Sequence, residues 1–156
     1  MLSLQSILFV ETYGASLNRQ QIEPVIQYKR NMDILKLTQK VIDLASQDES
    51  LKEKIKDLVV TIEMVLKNGG DVSIVFSIDH GNLKLIEGKA DNPDFRFEIS
   101  QRDFTGLMTG KQTGMILMAT GKLKMVKGNW AEINRIATPL IMIPKLGKQI
   151  FEQGER

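Results

Sequence analysis

The chain of 156 residues has no cysteine, one histidine, one tryptophan and four prolines, and its 21 Lys and Arg barely outnumber its 19 Asp and Glu. Without cysteine there is no disulfide, no thiolate metal site and no cysteine nucleophile, a usage that fits a reducing, cytoplasmic setting. One histidine and carboxylates scattered through turns and helix faces leave no cluster with metal-ligand spacing, and no nucleophile stands beside a base. The net charge of +2 is too small for a nucleic-acid partner, which usually leaves a basic stripe with aromatics nearby. No G-x-G-x-x-G occurs and no Gly-Lys-Ser/Thr closes a glycine loop, so Gly110-Lys111 and Gly121-Lys122 are weak as phosphate cradles. The short apolar run "ILFV" at residues 7–10 lacks a basic flank and meets Glu11, so neither a signal peptide nor a membrane span is expected. The sequence therefore assigns no catalytic residue, no metal and no cofactor, and its length suits one domain spanning 1–156.

What is present is periodic. From Pro24, a favoured first helical position, Val25, Tyr28, Met32, Leu35, Gln39 and Ile42 recur in steps of three and four. After "SQDES", Leu51, Ile55, Leu58, Ile62 and Val65 make a second stripe, with Asn68-Gly69-Gly70 as its stop. The spacing predicts a helical hairpin over 31–70, preceded by an extension, 1–30, to which no role attaches. The period then falls to two. Val72, Ile74, Phe76 and Ile78, then Leu83 and Leu85, then Phe95, Phe97 and Ile99, then Leu123 and Met125 alternate with polar neighbours, as in antiparallel strands with one buried face. His80 falls in the tight turn "DHGN", which suits a turn residue rather than a base.

Between the third and fourth strands, Ser100 and Asp103 have capping-box spacing, and Phe104, Leu107 and Met108 share one helical face up to Gly110. "MILMA" at 115–119 has no polar residue, so a helix there must be buried or line an apolar cavity. Asn129 can cap a further helix with Trp130, Ile133 and Ala137, after which Pro139 and Pro144 bracket the apolar "LIMI". Residues 106–128 hold five glycines and four methionines, Met108, Met115, Met118 and Met125. Methionine fills irregular space, in a core or around a variable ligand, and both readings stand at this point. No acidic residue lies from 104 to 131, whereas Lys111, Lys122, Lys124 and Lys127 do. They read either as solubilising residues of an edge strand or as a patch that docks transiently on an anionic membrane surface.

From about 72 to 148 the chain resembles the sterol carrier protein 2 (SCP-2) lipid-transfer domain. The resemblance rests on "FTGLMTGK" at 104–111, nine intervening residues, "GKLKMVKGN" at 121–129, and the upstream strand "KADNPDFRFEIS". It implies an α+β fold, a five-stranded mainly antiparallel sheet covered on one face by helices, with 71–150 forming the sheet and its helices. It also implies a non-catalytic protein holding a fatty acid, acyl-CoA or other long-chain lipid in an apolar tunnel between sheet and helices. Four strands are read directly, so a fifth is expected where "LIEGKA" or "KMVKG" could pair. The chain ends in "GER" rather than Ser-Lys-Leu, which predicts no peroxisomal address.

Where members of that family often read Asn-Pro-Gln-x-Ala-Phe-Phe-x-Gly, this chain has Thr113-Gly114-Met115-Ile116-Leu117-Met118-Ala119-Thr120-Gly121. A polar anchor is thereby lost at Met115, so binding is expected to follow chain length rather than head group, with Lys111 the first suspect for any basic anchor. The residues expected to line the lipid are Phe104, Leu107, Met108, Met115, Met118, Leu123, Met125, Ile133, Leu140 and Ile141. The other reading is a protein-interaction or accessory module, for example in isoprenoid-quinone lipid metabolism, whose tunnel is collapsed.

Overall fold

The computed structural model describes residues 19–67 and 71–154, so the run at 7–10, the Asn68-Gly69-Gly70 stop and the last two residues lie outside the described residues. The chain divides into two compact units, Met1–Lys36 and Leu37–Arg156. Of the first, the described part belongs to helix α1 (Arg19–Gln47), on which Ile26 and Met32 are exposed. Pro24 lies inside this helix instead of opening it, as expected from sequence, and so forfeits one intrahelical bond.

In the second unit the last turns of α1 bury Thr38, Val41, Ile42 and Ala45. Gln39, assigned to the apolar stripe, faces solvent and donates to Asp43 Oδ1 at 2.7 Å. Asp48 then caps helix α2 (Glu49–Ile55), accepting the Leu51 amide at 2.8 Å, and α2 buries Leu51 and Ile55. Here the expected hairpin over 31–70 is corrected. The second helix ends at Ile55, and Val59–Lys67 is strand β1. Val59, Val60, Thr61, Ile62 and Val65 are β-branched and favour extended backbone, which overrides the helical spacing of Leu58, Ile62 and Val65.

With β1, strands β2 (Val72–Asp79), β3 (Asn82–Glu87), β4 (Phe95–Ser100) and β5 (Lys124–Lys127) form a five-stranded sheet in the order β3-β2-β1-β4-β5. The fifth strand is thus β1, at the centre, and not an addition at "LIEGKA" or "KMVKG". Only β1 and β4 pair in parallel; the other neighbours are antiparallel. Ile62 stands opposite Phe76 and Phe95, and Met64 opposite Ile74 and Phe97, so one face carries a continuous apolar layer. The β2–β3 turn is closed by His80 and Gly81, both at positive φ (49° and 86°), the backbone that a two-residue hairpin loop requires.

The opposite face carries Glu63, whose side chain is 1% exposed. The β3–β4 connection crosses behind β2 and β1, bonding Gly88 N–H to Ser73 O (3.0 Å) and Asp94 N–H to Thr61 O (2.9 Å). Glu63 holds its middle, accepting from the Ala90 amide at 2.8 Å and from Arg96 Nε on β4. Burial alone would raise the Glu63 pKa. The Arg96 hydrogen bond, the Ala90 amide and the nearby charges of Arg96 and Lys89 outweigh it and hold the carboxyl below its ordinary value.

The apolar face is covered by helix α3 (Gln101–Met108) and helix α5 (Ala137–Gly154), with helix α4 (Gly114–Ala119) and a 3-10 helix (Trp130–Ile136) beside them. Phe104 of α3 meets Phe76 of β2 with ring centroids 6.5 Å apart. Pro139 and Pro144 do not bracket "LIMI" as expected. Both lie in α5, Pro139 in its first turn, where no donor is missed, and Pro144 in its interior.

Candidate functional site

The site is built by the segment joining α3 to β5. Ser100 caps α3, accepting the Asp103 amide at 3.0 Å, and its hydroxyl donates to Asp103 Oδ2 at 2.9 Å. Asp103 Oδ1 in turn accepts from Gln112 Nε2 at 3.2 Å, and the Gln112 amide donates to Gly106 O at 3.0 Å. A side chain on Gly106 would meet Gln112 Nε2 at 2.9 Å, so the glycine lets the loop fold back on α3. Gly110 (φ +75°) ends α3 and leaves room for the stem of Lys148. Thr113 caps α4, whose Leu117 is buried and whose Leu117 carbonyl accepts the amides of Lys122 (2.8 Å) and Leu123 (2.9 Å). α4 is therefore anchored through one side chain and its loop. Of the two expectations, buried all round or lining an apolar cavity, the first does not hold: Met115 is 77% and Ile116 61% exposed.

Two spaces adjoin α5. The inner one, between the sheet and the helices, is a slot of only about 30 Å3, walled by Ile62, Met64, Phe76 and Ile78 from the sheet and by Leu107 and Met108 from α3. The outer one is a cavity of about 610 Å3, within the range of ordinary ligand sites. Met115 and Met118 of α4, Trp130 and Ile133 of the 3-10 helix, and Leu140 and Ile141 of α5 form its apolar walls. Gln112, Thr113, Asn134, Lys145 and Lys148 add polar groups, and among the described residues no carboxylate lines it. Leu140 and Pro144 border both spaces and form the partition between them. Among the described residues no group of three His, Cys, Asp or Glu could hold a metal ion, and no helix is long and apolar enough to cross a membrane.

The five-stranded, mainly antiparallel sheet with helices over one face is the arrangement expected above, whereas the space between sheet and helices is only the narrow slot. A model of the SCP-2 sterol transfer family matches residues 39–140. The chain belongs to the SCP-2 sterol transfer family. That places it in a family of lipid-binding and lipid-transfer domains, generally non-catalytic. Among solved structures it is similar to a sterol carrier protein 2 crystal structure (17% identity, TM-score 0.60, 72% of this chain and 93% of that one). It is also similar to palmitated SCP2L2 from Aedes aegypti (15% identity, TM-score 0.54, 69% and 90%) and to the ubiquinone synthesis protein UbiJ-SCP2 (16% identity, TM-score 0.53, 70% and 94%). No curated protein matches the chain by sequence.

Of the residues singled out from sequence, Met115, Met118, Ile133, Leu140 and Ile141 line the outer cavity, and Leu107, Met108 and Leu140 line the slot. Phe104 and Leu123 are core, and Met125, opposite Phe97 on β5, lines neither space. The four lysines are not brought together. Lys111 lies 4.5 Å over the Phe151 ring, and Lys122 sits in the turn after α4. Lys124 stands opposite Glu98, and Lys127 donates to Asn92 of the β3–β4 connection, which puts both on the sheet face away from the helices. Sequence reasoning missed Lys145 and Lys148, whose spacing of three on α5 continues the face of Ile141.

Proposed function

We propose that this protein is a non-catalytic cytoplasmic carrier that takes a long-chain lipid, such as a fatty acid or acyl-CoA, into the outer cavity. The observation that carries this reading is a cavity of about 610 Å3 with apolar walls and no carboxylate among its described lining residues. Burying a chain gains about 0.8 kcal/mol per methylene, so ten methylenes supply roughly 8 kcal/mol before ordering costs. Affinity in the micromolar range then needs little polar contact. The similar Aedes aegypti SCP2L2, palmitated in its solved structure, supports the same ligand class.

The cavity rim supports delivery at a membrane. Met115, Trp130 and Ile141 of the lining are each more than half exposed, as is Ile116 beside Met115 on α4, and Lys145 and Lys148 belong to the same lining. Large apolar side chains exposed together with lysines suit insertion at an anionic surface, each lysine adding about 1 kcal/mol. None of the four lysines expected to dock lines this cavity, and the reading rests on Lys145 and Lys148 in their place.

Native mass spectrometry of the full chain purified from its own cells tests the carrier, with a lipid-sized adduct as the expected result. The narrow slot of about 30 Å3 favours a second reading, an accessory module with a collapsed tunnel, and the UbiJ-SCP2 likeness accords with it. A clean apo mass with a co-purifying protein partner would favour that reading. Vesicle co-sedimentation tests docking: binding to anionic vesicles is expected, weakened by Ile116→Asp and Trp130→Ala. Equal binding to neutral and anionic vesicles refutes the electrostatic part.

A further inference from the structure

The polar residues of the outer cavity are not spread around it. The face of α5 toward it runs Ala137, Leu140, Ile141, Pro144, Lys145, Lys148, in alternating steps of three and one. It is apolar for its first two turns and basic thereafter, over a rise from Ile141 to Lys148 of about 10 Å. The facing wall changes in the same sense. Met115 and Met118 of α4 give way to Gln112 and Gly110 of the α3–α4 loop, and Gly110 is where the Lys148 stem packs, since a Cβ there would meet Lys148 Cγ at 3.0 Å.

The two lysines have little else to do. Lys148 Nζ lies 3.9 Å from Glu152 Oε1, a contact exposed on both sides and weak for that reason. Lys145 makes no ion pair or hydrogen bond with any described residue. With no carboxylate among the described lining residues and only the weak Glu152 contact to offset them, two ammonium groups at one end of an apolar cavity form a net positive pole. A neutral lipid would leave that pole unmatched, whereas an anionic amphiphile matches both halves of the gradient.

We propose that Lys145 and Lys148 select the head group: the ligand is a single-chain amphiphile with an anionic head, carboxylate or phosphate, held at the basic end of α5, with its chain running toward Trp130 and Ile133. This rests on the carrier reading and replaces the expectation that head groups are indifferent. Lys111, the first suspect, has its ammonium over the Phe151 ring instead.

Trp130 is the only tryptophan and lines the cavity, so its emission reports occupancy directly. Dodecanoate, dodecyl phosphate and methyl dodecanoate are titrated into the parent, into a Lys145→Gln/Lys148→Gln variant and into a Lys84→Gln charge control, all at neutral pH. The parent is expected to bind at least one anion about tenfold or more tighter than the ester. The double variant is expected to reduce that ratio to within about threefold while binding the ester as the parent does, and Lys84→Gln to change nothing. The tighter of the two anions identifies the head class. Equal affinity of acid, phosphate and ester for the parent overturns the selection proposal but leaves the carrier standing, as does a preference that survives the double variant. Inorganic phosphate binding as tightly as dodecyl phosphate also overturns it, because an anion site would then need no chain. If none of the three amphiphiles changes Trp130 emission, the carrier reading falls with it.

Discussion

Gly147 lets α5 pass close against the end of α3, and replacing it by alanine is a sharp test of how the site's wall is held. A Cβ at this position would overlap the Met108 carbonyl oxygen, lie 2.9 Å from the Met108 carbonyl carbon and stand 3.3 Å from Val41 Cγ2. Carbon–carbon contacts settle at about 3.5 to 4.0 Å, so α5 must retreat by more than about half an ångström for the carbon alone, and further for the oxygen. The obstacle is backbone, which no side-chain rotation can move aside. Overpacking of this kind costs about 1 to 3 kcal/mol, while alanine in a helix interior returns about 0.8 to 1 kcal/mol over glycine. The clash prevails, and a net loss of about 1 to 2 kcal/mol is expected. For a chain of this length that lowers Tm by about 2 to 4 °C per kcal/mol. Urea unfolding measures it as a lower midpoint at unchanged slope. Gly114→Ala is the control: its Cβ meets only Leu107 Cδ1 at 4.0 Å, so it should be neutral or gain up to about 1 kcal/mol. A Gly147→Ala protein as stable as the parent would refute the close approach of α3 and α5.

Two further expectations follow from the same geometry. Filling the outer cavity with Ala137→Phe and Met118→Phe is expected to weaken dodecanoate binding by tenfold or more, read by Trp130 emission, with the unfolding midpoint little changed; retained affinity would place the chain elsewhere. Glu63→Gln is expected to cost about 1.5 to 3 kcal/mol at pH 7, the usual value of a hydrogen bond to a charged group. Because the folded pKa of Glu63 is lowered, its contribution is present above the unfolded value of about 4.3 and is lost as pH falls through the lower folded value. Parent and variant stabilities should therefore converge on acidification, and a constant gap down to pH 3 would show that Glu63 acts by packing alone.

Much of the fold was legible in the sequence, and the largest miss was also written there. Val60, Ile62, Met64 and Leu66 alternate with Thr61, Glu63, Val65 and Lys67, a period of two as regular as that of β2. It lost to a longer stripe at helical spacing that began in a real helix, α2, and ran on by coincidence through Leu58, Ile62 and Val65. What sequence could not show is why a central strand tolerates Glu63. Its partners, Ala90 and Arg96, lie 27 and 33 residues away and are brought to it only by the β3–β4 crossover. The turns and caps, by contrast, are local, and Ser100 and Asn129 cap where their spacing said they would. In the site the misleading residue was Pro144. Taken as the end of an apolar run, it hid the fact that α5 continues, and with the helix cut there Lys145 and Lys148 had no face to share with Leu140 and Ile141.

The methionines can now be weighed between core filling and cavity lining. Met64 and Met108 border the slot and are buried, as core residues are. Met115 and Met118 differ, because α4 does not depend on burying them. Its start is fixed by the Thr113 hydroxyl, which accepts the Ile116 amide at 3.3 Å, and its end by the Leu117 carbonyl, which accepts two amides from the following turn. Leu117 alone supplies its fully buried side chain. A short helix held by its loop chemistry leaves its other apolar side chains free to face something that is not always there. Unbranched, polarizable side chains suit a surface whose contents change, and Met115 and Met118 on α4 share the cavity with the apolar end of α5, where it would receive a chain.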